Sequence, residues 1–129
     1  MSDQHPVELI LARGLATNLT TAVFLVDADG TLLFFNEPAG ALLGVQFEEA
    51  GPMAADEWGA RFAPTTPEGD PLSVSDLPLA LAIGGRAAHS SMRIHSATGE
   101  VRDIEVTAFP LAGRSGQTGA LAIFWDRSS

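Results

Sequence analysis

Residues Ala22–Gly44 read AVFLVDADGTLLFFNEPAGALLG: two apolar runs flank the turn Asp27-Ala28-Asp29-Gly30, and an Ala/Leu-rich segment follows. Val23–Val26 is rich in β-branched and aromatic residues, is too short for a helix, and is stopped by Asp27. Asp29-Gly30 is the strongest short-range hairpin signal, because glycine takes positive φ at no steric cost. Leu32–Phe35 then returns as a second strand. Asn36 is placed to accept a backbone N–H as the cap of a helix over 37–43. Pro38 falls in its first turn, where N–H groups have no partner, and Gly44 suits its C-cap.

Working outward, Pro6 and the spacing of Val7, Ile10, Leu11 and Leu15 predict a helix over 6–18, with Leu9, Ala12 and Ala16 widening its apolar face. Past Gly44, residues 48–71 are expected to be largely irregular. One short helix over 53–62 would carry Trp58 and Phe62, and a loop is marked by Pro64, Pro67, Gly69 and Pro71. Ser75 or Asp76 can cap a helix whose apolar body is Leu79–Ile83, ended by Gly84-Gly85. Three strands are predicted over 87–96, 100–111 and 118–126, with turns at Ala97-Thr98-Gly99 and across 113–119. A three-residue loop ending in Gly99 pairs Ser96 with Glu100. Met92 then faces Ile104 and Ser90 faces Val106 on one side, while Arg93 faces Asp103 and Ser91 faces Glu105 on the other.

The order of elements, and Asp27, Gly30, Leu32 and Asn36 within it, resembles the opening of a PAS domain. Gly99, Ile104, Val106, Pro110, Leu111, Gly116 and Gly119 are similar to that family's last two strands, and Asp126-Arg127-Ser128 resembles its closing Asp-Ile/Val-Thr. The resemblance spans about residues 17–128. It implies an α+β fold: a PAS-like five-stranded antiparallel sheet with helices on one face and an N-terminal flanking helix. Residues 1–19 would be the flanking helix and 20–129 a single PAS domain. It also implies a sensory or regulatory module rather than an enzyme.

Composition narrows the chemistry. The 129 residues suit one domain, and 46% hydrophobic content is enough for a core. The net charge of −9 opposes nucleic acid and anionic membrane surfaces. There is no cysteine, so disulfides and thiolate chemistry are absent. No apolar run is long enough to span a bilayer, and the N-terminus lacks a basic signal region. The reading is a cytoplasmic protein without membrane insertion. Light-sensing PAS relatives attach flavin or a cinnamoyl chromophore through cysteine, so the resemblance excludes both covalent chromophores here. Haem-binding relatives use a histidine on the helix before the third strand. Residues 76–83 hold none, which disfavours haem, with His89 the remaining strand ligand. Non-covalent flavin could stack on Trp58 or Trp125. No cofactor is required.

Asp27, Asp29 and Asn36 are read as turn and cap residues rather than a metal site, and no metal site is expected. Arg93 with Asp103 or Glu105 reads as a surface ion pair rather than an acid–base group. The last strand, GALAIFW, is apolar on both faces: Leu121, Ile123 and Trp125 alternate with Ala120, Ala122 and Phe124. One face covers the core and the other needs a second cover, for which the N-terminal helix is the natural choice. Candidate pocket residues are Trp58, Phe62, Leu79, Ile83, Met92, Ile104, Val106 and Ile123. Candidate residues for a homodimer or signalling-protein surface are Val7, Ile10, Leu11, Leu15, Leu121, Phe124 and Trp125. The expected function is a regulatory PAS module with a small apolar ligand in its interior. The alternatives are a flavin or haem sensor and, more distantly, a small α+β cone-fold enzyme using Asp103, Glu105 or His89 as base.

Overall fold

A computed structural model describes residues 9, 12–15, 19–113 and 116–127. The chain builds one five-stranded antiparallel sheet from β1 (Ala22–Asp27), β2 (Leu32–Phe35), β3 (Ala88–His95), β4 (Val101–Gly113) and β5 (Gly116–Asp126), in the spatial order β2-β1-β5-β4-β3. Between β2 and β3 run α1 (Glu37–Leu43), α2 (Phe47–Ala50), α3 (Ala55–Phe62), a 3-10 turn (Val74–Asp76) and α4 (Pro78–Ile83).

The opening hairpin forms by the chemistry read from its residues. Asp27 Oδ1 accepts from Asp29 N at 2.9 Å and Thr31 N at 3.1 Å, closing the turn locally, and Gly30 has φ 83°. Asn36 does more than cap α1. Its Oδ1 accepts from Ala39 N at 3.2 Å and also from Val23 N at 2.9 Å, while Nδ2 donates to Thr21 O at 2.8 Å. One side chain, 2% exposed, thus ties the entry to β1, β1 itself and the helix start together. Gly44 ends α1 in the left-handed region at φ 81°.

The β3–β4 register is the one expected: Met92 opposite Ile104, Ser90 opposite Val106, Arg93 opposite Asp103 and Ser91 opposite Glu105. The β4–β5 hairpin extends further than the sequence suggested, to Gly113 and Gly116. Three helical expectations change. Met53 does not begin α3: it pairs with Leu32, donating and accepting backbone bonds of 3.3 and 2.7 Å, and shields the β2 edge. Residues Phe47–Ala50 form a helical turn where irregular chain was expected. Neither Ser75 nor Asp76 caps α4. Ser73 and Asp76 instead form a capping box on the 3-10 turn, and Leu77 precedes α4 with Pro78 in its first turn.

Both faces of the sheet are covered. The helices bury the inner face, where Phe24, Val26, Phe35, Ile104, Val106, Ala122 and Phe124 meet Leu43, Trp58, Phe62 and Leu79. On the outer face Leu9 and Ala12 of the N-terminal helical segment pack on Val23, Leu25 and Phe34. Arg13 completes this cover with its guanidinium 4.7 Å from the Phe34 ring centroid. Gly119 permits the close approach: a Cβ there would collide with the Val26 carbonyl oxygen and press on Leu9. Val7, Ile10 and Leu11 lie outside the described residues.

Replacing Asn36 by alanine leaves Val23 N, Ala39 N and Thr21 O without this partner in a buried place. Asn36→Ala is expected to lose about 3 kcal/mol or more of stability, read from urea unfolding midpoints at unchanged slope.

Candidate functional site

Between the inner sheet face and α3–α4 lies a cavity of about 70 Å³. Its wall contains Trp58, Phe62, Leu79, Met92, Ile104 and Val106, six of the residues expected there. Ile83 and Ile123 are not in the wall. Ile83 packs against the core from α4 without lining the cavity. Ile123 points to the outer face, into the cluster that contains Leu9 and Val23. The opposite correction applies to Phe124, which was expected on the outer surface: it is 4% exposed and lines the cavity with Ala122. Alternation in GALAIFW cannot say which set faces inward, because both sets are apolar. The pairing of Val106 with Phe124 and of Phe24 with Ala122 decides it.

Phe24, Leu43, Pro64, Leu77, Pro78 and Ile94 also line the cavity and were not anticipated. Ile94 had a readable signal, since it shares the phase of Met92 in the registered hairpin. Pro64 and Leu77 had none, because irregular chain brings them over the sheet, and Pro78 stands at the start of α4 before any helical periodicity is established.

The lining side chains are apolar, and their only heteroatoms are the Met92 thioether sulfur and the Trp58 indole nitrogen. That nitrogen is already engaged: Nε1 donates to Gly30 O at 2.9 Å, and the ring meets Phe24 edge-on at 5.2 Å. Trp58 therefore joins the cavity wall to the β1–β2 turn. An engineered apolar cavity of about 150 Å³ accepts benzene. A space of about 70 Å³ walled by such residues does not fit a three-ring flavin or a haem. No histidine lines it, and Trp58 and Trp125 lie on opposite faces of the sheet, so they cannot sandwich one ligand.

The titratable groups considered for acid–base work face outward. His89 Nε2 lies 2.7 Å from Glu105 Oε1, and His89 Nδ1 lies 2.7 Å from Thr107 Oγ1. Glu105 Oε2 accepts from Ser91 Oγ at 2.6 Å and is 3.1 Å from Arg127 Nε. These bonds, first that of Ser91 and then that of His89, hold the Glu105 carboxyl below the ordinary range. Arg93 Nε donates to Asp103 Oδ1 at 2.8 Å, which likewise lowers Asp103. Both are cross-strand contacts on the sheet surface. Beside them the outer face of β4–β5 exposes Phe109 at 41% and Trp125 at 43%, with Leu121 and Ile123 half-buried at the border of the N-terminal cover. Leu15 is 62% exposed. Among the described residues no three acidic or histidine side chains gather as a metal site.

A family model described as the PAS fold matches residues 16–129. Solved structures agree. The chain is similar to the LOV protein of Rhodobacter sphaeroides at 18% identity and TM-score 0.70, covering 95% of this chain and 68% of that one. It is similar to the PAS domain of nitrogen regulation protein NR(II) from Vibrio parahaemolyticus at 14% identity and TM-score 0.62, covering 90% and 97%. It is also similar to the PAS domain of an HTR-like protein from Haloarcula marismortui at 17% identity and TM-score 0.61, covering 91% and 89%. No curated protein matches the chain. The protein belongs to the PAS family, whose members are typically sensory and regulatory modules rather than catalysts.

Two outcomes test this geometry. Trp58→Phe keeps most of the packing but leaves the buried Gly30 carbonyl unpaired, and should cost about 1–3 kcal/mol in urea unfolding. Glu105 has a folded pKa below its unfolded value, so its contribution is complete above the unfolded value of about 4.3 and is lost as pH falls toward the folded one. The stability advantage of wild type over Glu105→Gln should therefore be larger at pH 7 than at pH 3.

Proposed function

We propose that this chain is a cytoplasmic sensory PAS module, with residues 20–129 as the sensing body and 1–19 as the flanking helix. A second copy of the chain docks on the outer face of β4–β5 beside the N-terminal helix, and a signalling protein is the alternative occupant of the same face. The observation that carries this reading is the incomplete outer cover. Leu9 and Ala12 seal the β1–β2 half, whereas Phe109 and Trp125 remain exposed next to it. Leu121 and Ile123, partly buried against the Leu9 and Ala12 cluster, extend the apolar border toward the flanking helix. The cavity would hold a small apolar molecule. Its occupancy would bias the packing of the outer helix, because ligand and helix press on opposite faces of the same strands.

The absence of any acid, base or nucleophile from the cavity wall supports a binding role over an enzymatic one. Flavin and haem find neither space nor ligands in that wall, which leaves the small apolar molecule as the reading of the interior.

Light scattering at tens of micromolar protein tests the surface. Wild type is expected to be dimeric, and Trp125→Arg, at a side chain already exposed, is expected to be monomeric with an unchanged far-UV circular dichroism spectrum. A monomeric wild type, or a Trp125→Arg variant that stays dimeric, rejects the proposed face.

A further inference from the structure

We propose that the pairing of two copies through the outer face of β4–β5 is controlled by pH, with His89 as the switch: neutral His89 lets the two faces meet, and its protonation drives them apart. The proposal rests on the second-copy reading above and adds the regulation of that surface.

His89 stands beside the exposed patch. Its ring centroid lies 6.1 Å from that of Trp125, and strand pairing puts Glu105 opposite Trp125 and Thr107 between His89 and Ile123. The imidazole is half-exposed and both ring nitrogens are taken, Nε2 at 2.7 Å from Glu105 Oε1 and Nδ1 at 2.7 Å from Thr107 Oγ1. These partners suit the neutral ring. Glu105, whose carboxyl is held low by Ser91 and His89, stays ionised and can only accept, so Nε2 carries the proton. The bare Nδ1 then accepts from the Thr107 hydroxyl. The charged groups facing this ring are Glu105 from β4 and, through Glu105, Arg127 from beyond the end of β5, while Arg93 of β3 is engaged with Asp103 of β4. The other described histidine, His95, instead lies 3.4 Å from Ala63 O at the end of α3.

With His89 neutral, the ion pairs around it balance: Arg93 and Arg127 stand against Asp103 and Glu105, on a chain whose net charge is −9. Two copies can bring this face together without adding like charge, and a twofold interface sets the same patch on both sides. Protonation changes this in two ways. Each face gains a positive charge next to Trp125, where the partner's face gains one too. Nδ1–H also becomes a donor, so the Thr107 hydroxyl must turn to accept, and its own hydrogen then needs another acceptor. On the free surface water accepts that hydrogen. Beneath an apolar partner water is excluded, and the unpaired group is costly. Histidine is the ordinary side chain whose charge changes between pH 5 and 8, which sets the range to test.

Sedimentation velocity on dilution series at pH 7.5 and pH 5.5, in about 0.15 M salt to screen distant charges, tests the switch. The wild-type dimer dissociation constant should rise about tenfold at the lower pH. Acid also reduces the net negative charge of each copy, which alone would tighten the pair, so loosening is the discriminating sign. His89→Gln, which cannot take up the proton, should change by less than about twofold between the two pH values, and His95→Gln should keep the wild-type rise. A wild-type dimer whose affinity stays level or tightens in acid rejects the switch and leaves the dimer standing. A His89→Gln variant that still loosens in acid, or that is monomeric at pH 7.5, rejects the role of His89, as does a His95→Gln variant that loses the rise. A wild type that is monomeric at both pH values overturns the dimer itself.

Discussion

The sheet must be covered on both of its faces, and most of the molecule follows from that constraint. β1 and β5 present apolar side chains above and below: Phe24, Ala122 and Phe124 inward, Val23, Leu25, Leu121 and Ile123 outward. A sheet with one wet face needs a single layer of helices. This one needs two covers, each worth about 25 cal/mol for every Å² of apolar surface removed from water. The inner cover is built from four short helices and a 3-10 turn, none of which is long enough to fill the space uniformly. A small apolar cavity remains where they meet the strands. The outer cover is a single helical segment. It reaches Val23, Leu25 and Phe34 but leaves Phe109 and Trp125 in contact with solvent. Interior space and exterior patch are two consequences of the same shortage of covering surface.

The two layers are not independent. Phe47 on α2 packs against both clusters, meeting Phe34 at 5.4 Å and Phe35 at 5.5 Å, and Arg13 of the N-terminal segment lies 5.6 Å from its ring centroid. Asn36, directly after Phe34 and Phe35, fixes the end of β2 to β1 and to the start of α1 through bonds to Thr21, Val23 and Ala39. Trp58 does the same at the other end of the hairpin through Gly30. A change in how tightly the interior packs is thus in physical contact with the seat of the flanking helix, which is the arrangement a sensory module requires.

Much of this was legible in local chemistry. Asp27, Gly30, Asn36 and Gly44 act within a few residues of themselves, so their roles follow from turn and cap rules without knowledge of the rest of the chain. The β3–β4 register was readable because a three-residue turn and a polar–apolar alternation agree on one solution. Six of the eight expected pocket residues line the cavity for the same reason: strand phase placed Met92, Ile104 and Val106, and helical spacing placed Trp58, Phe62 and Leu79. Ile123 and Phe124 exchanged places because alternation carries no information where both faces are apolar. Met53 left its expected helix because its backbone is worth more as a partner for the β2 edge, a contact between segments far apart in space until the fold brings them together.

By itself the sequence determined the class of fold, the absence of thiol chemistry, the hairpin, the first helix and the phase of the third and fourth strands, because each depends on residues near one another along the chain. Only the tertiary structure decided which face of β5 looks inward and how Pro64 and Leu77 close the cavity. Those features depend on non-local pairing and on the packing of irregular segments, where no periodicity constrains the side chains and only the filling of shared space selects their positions.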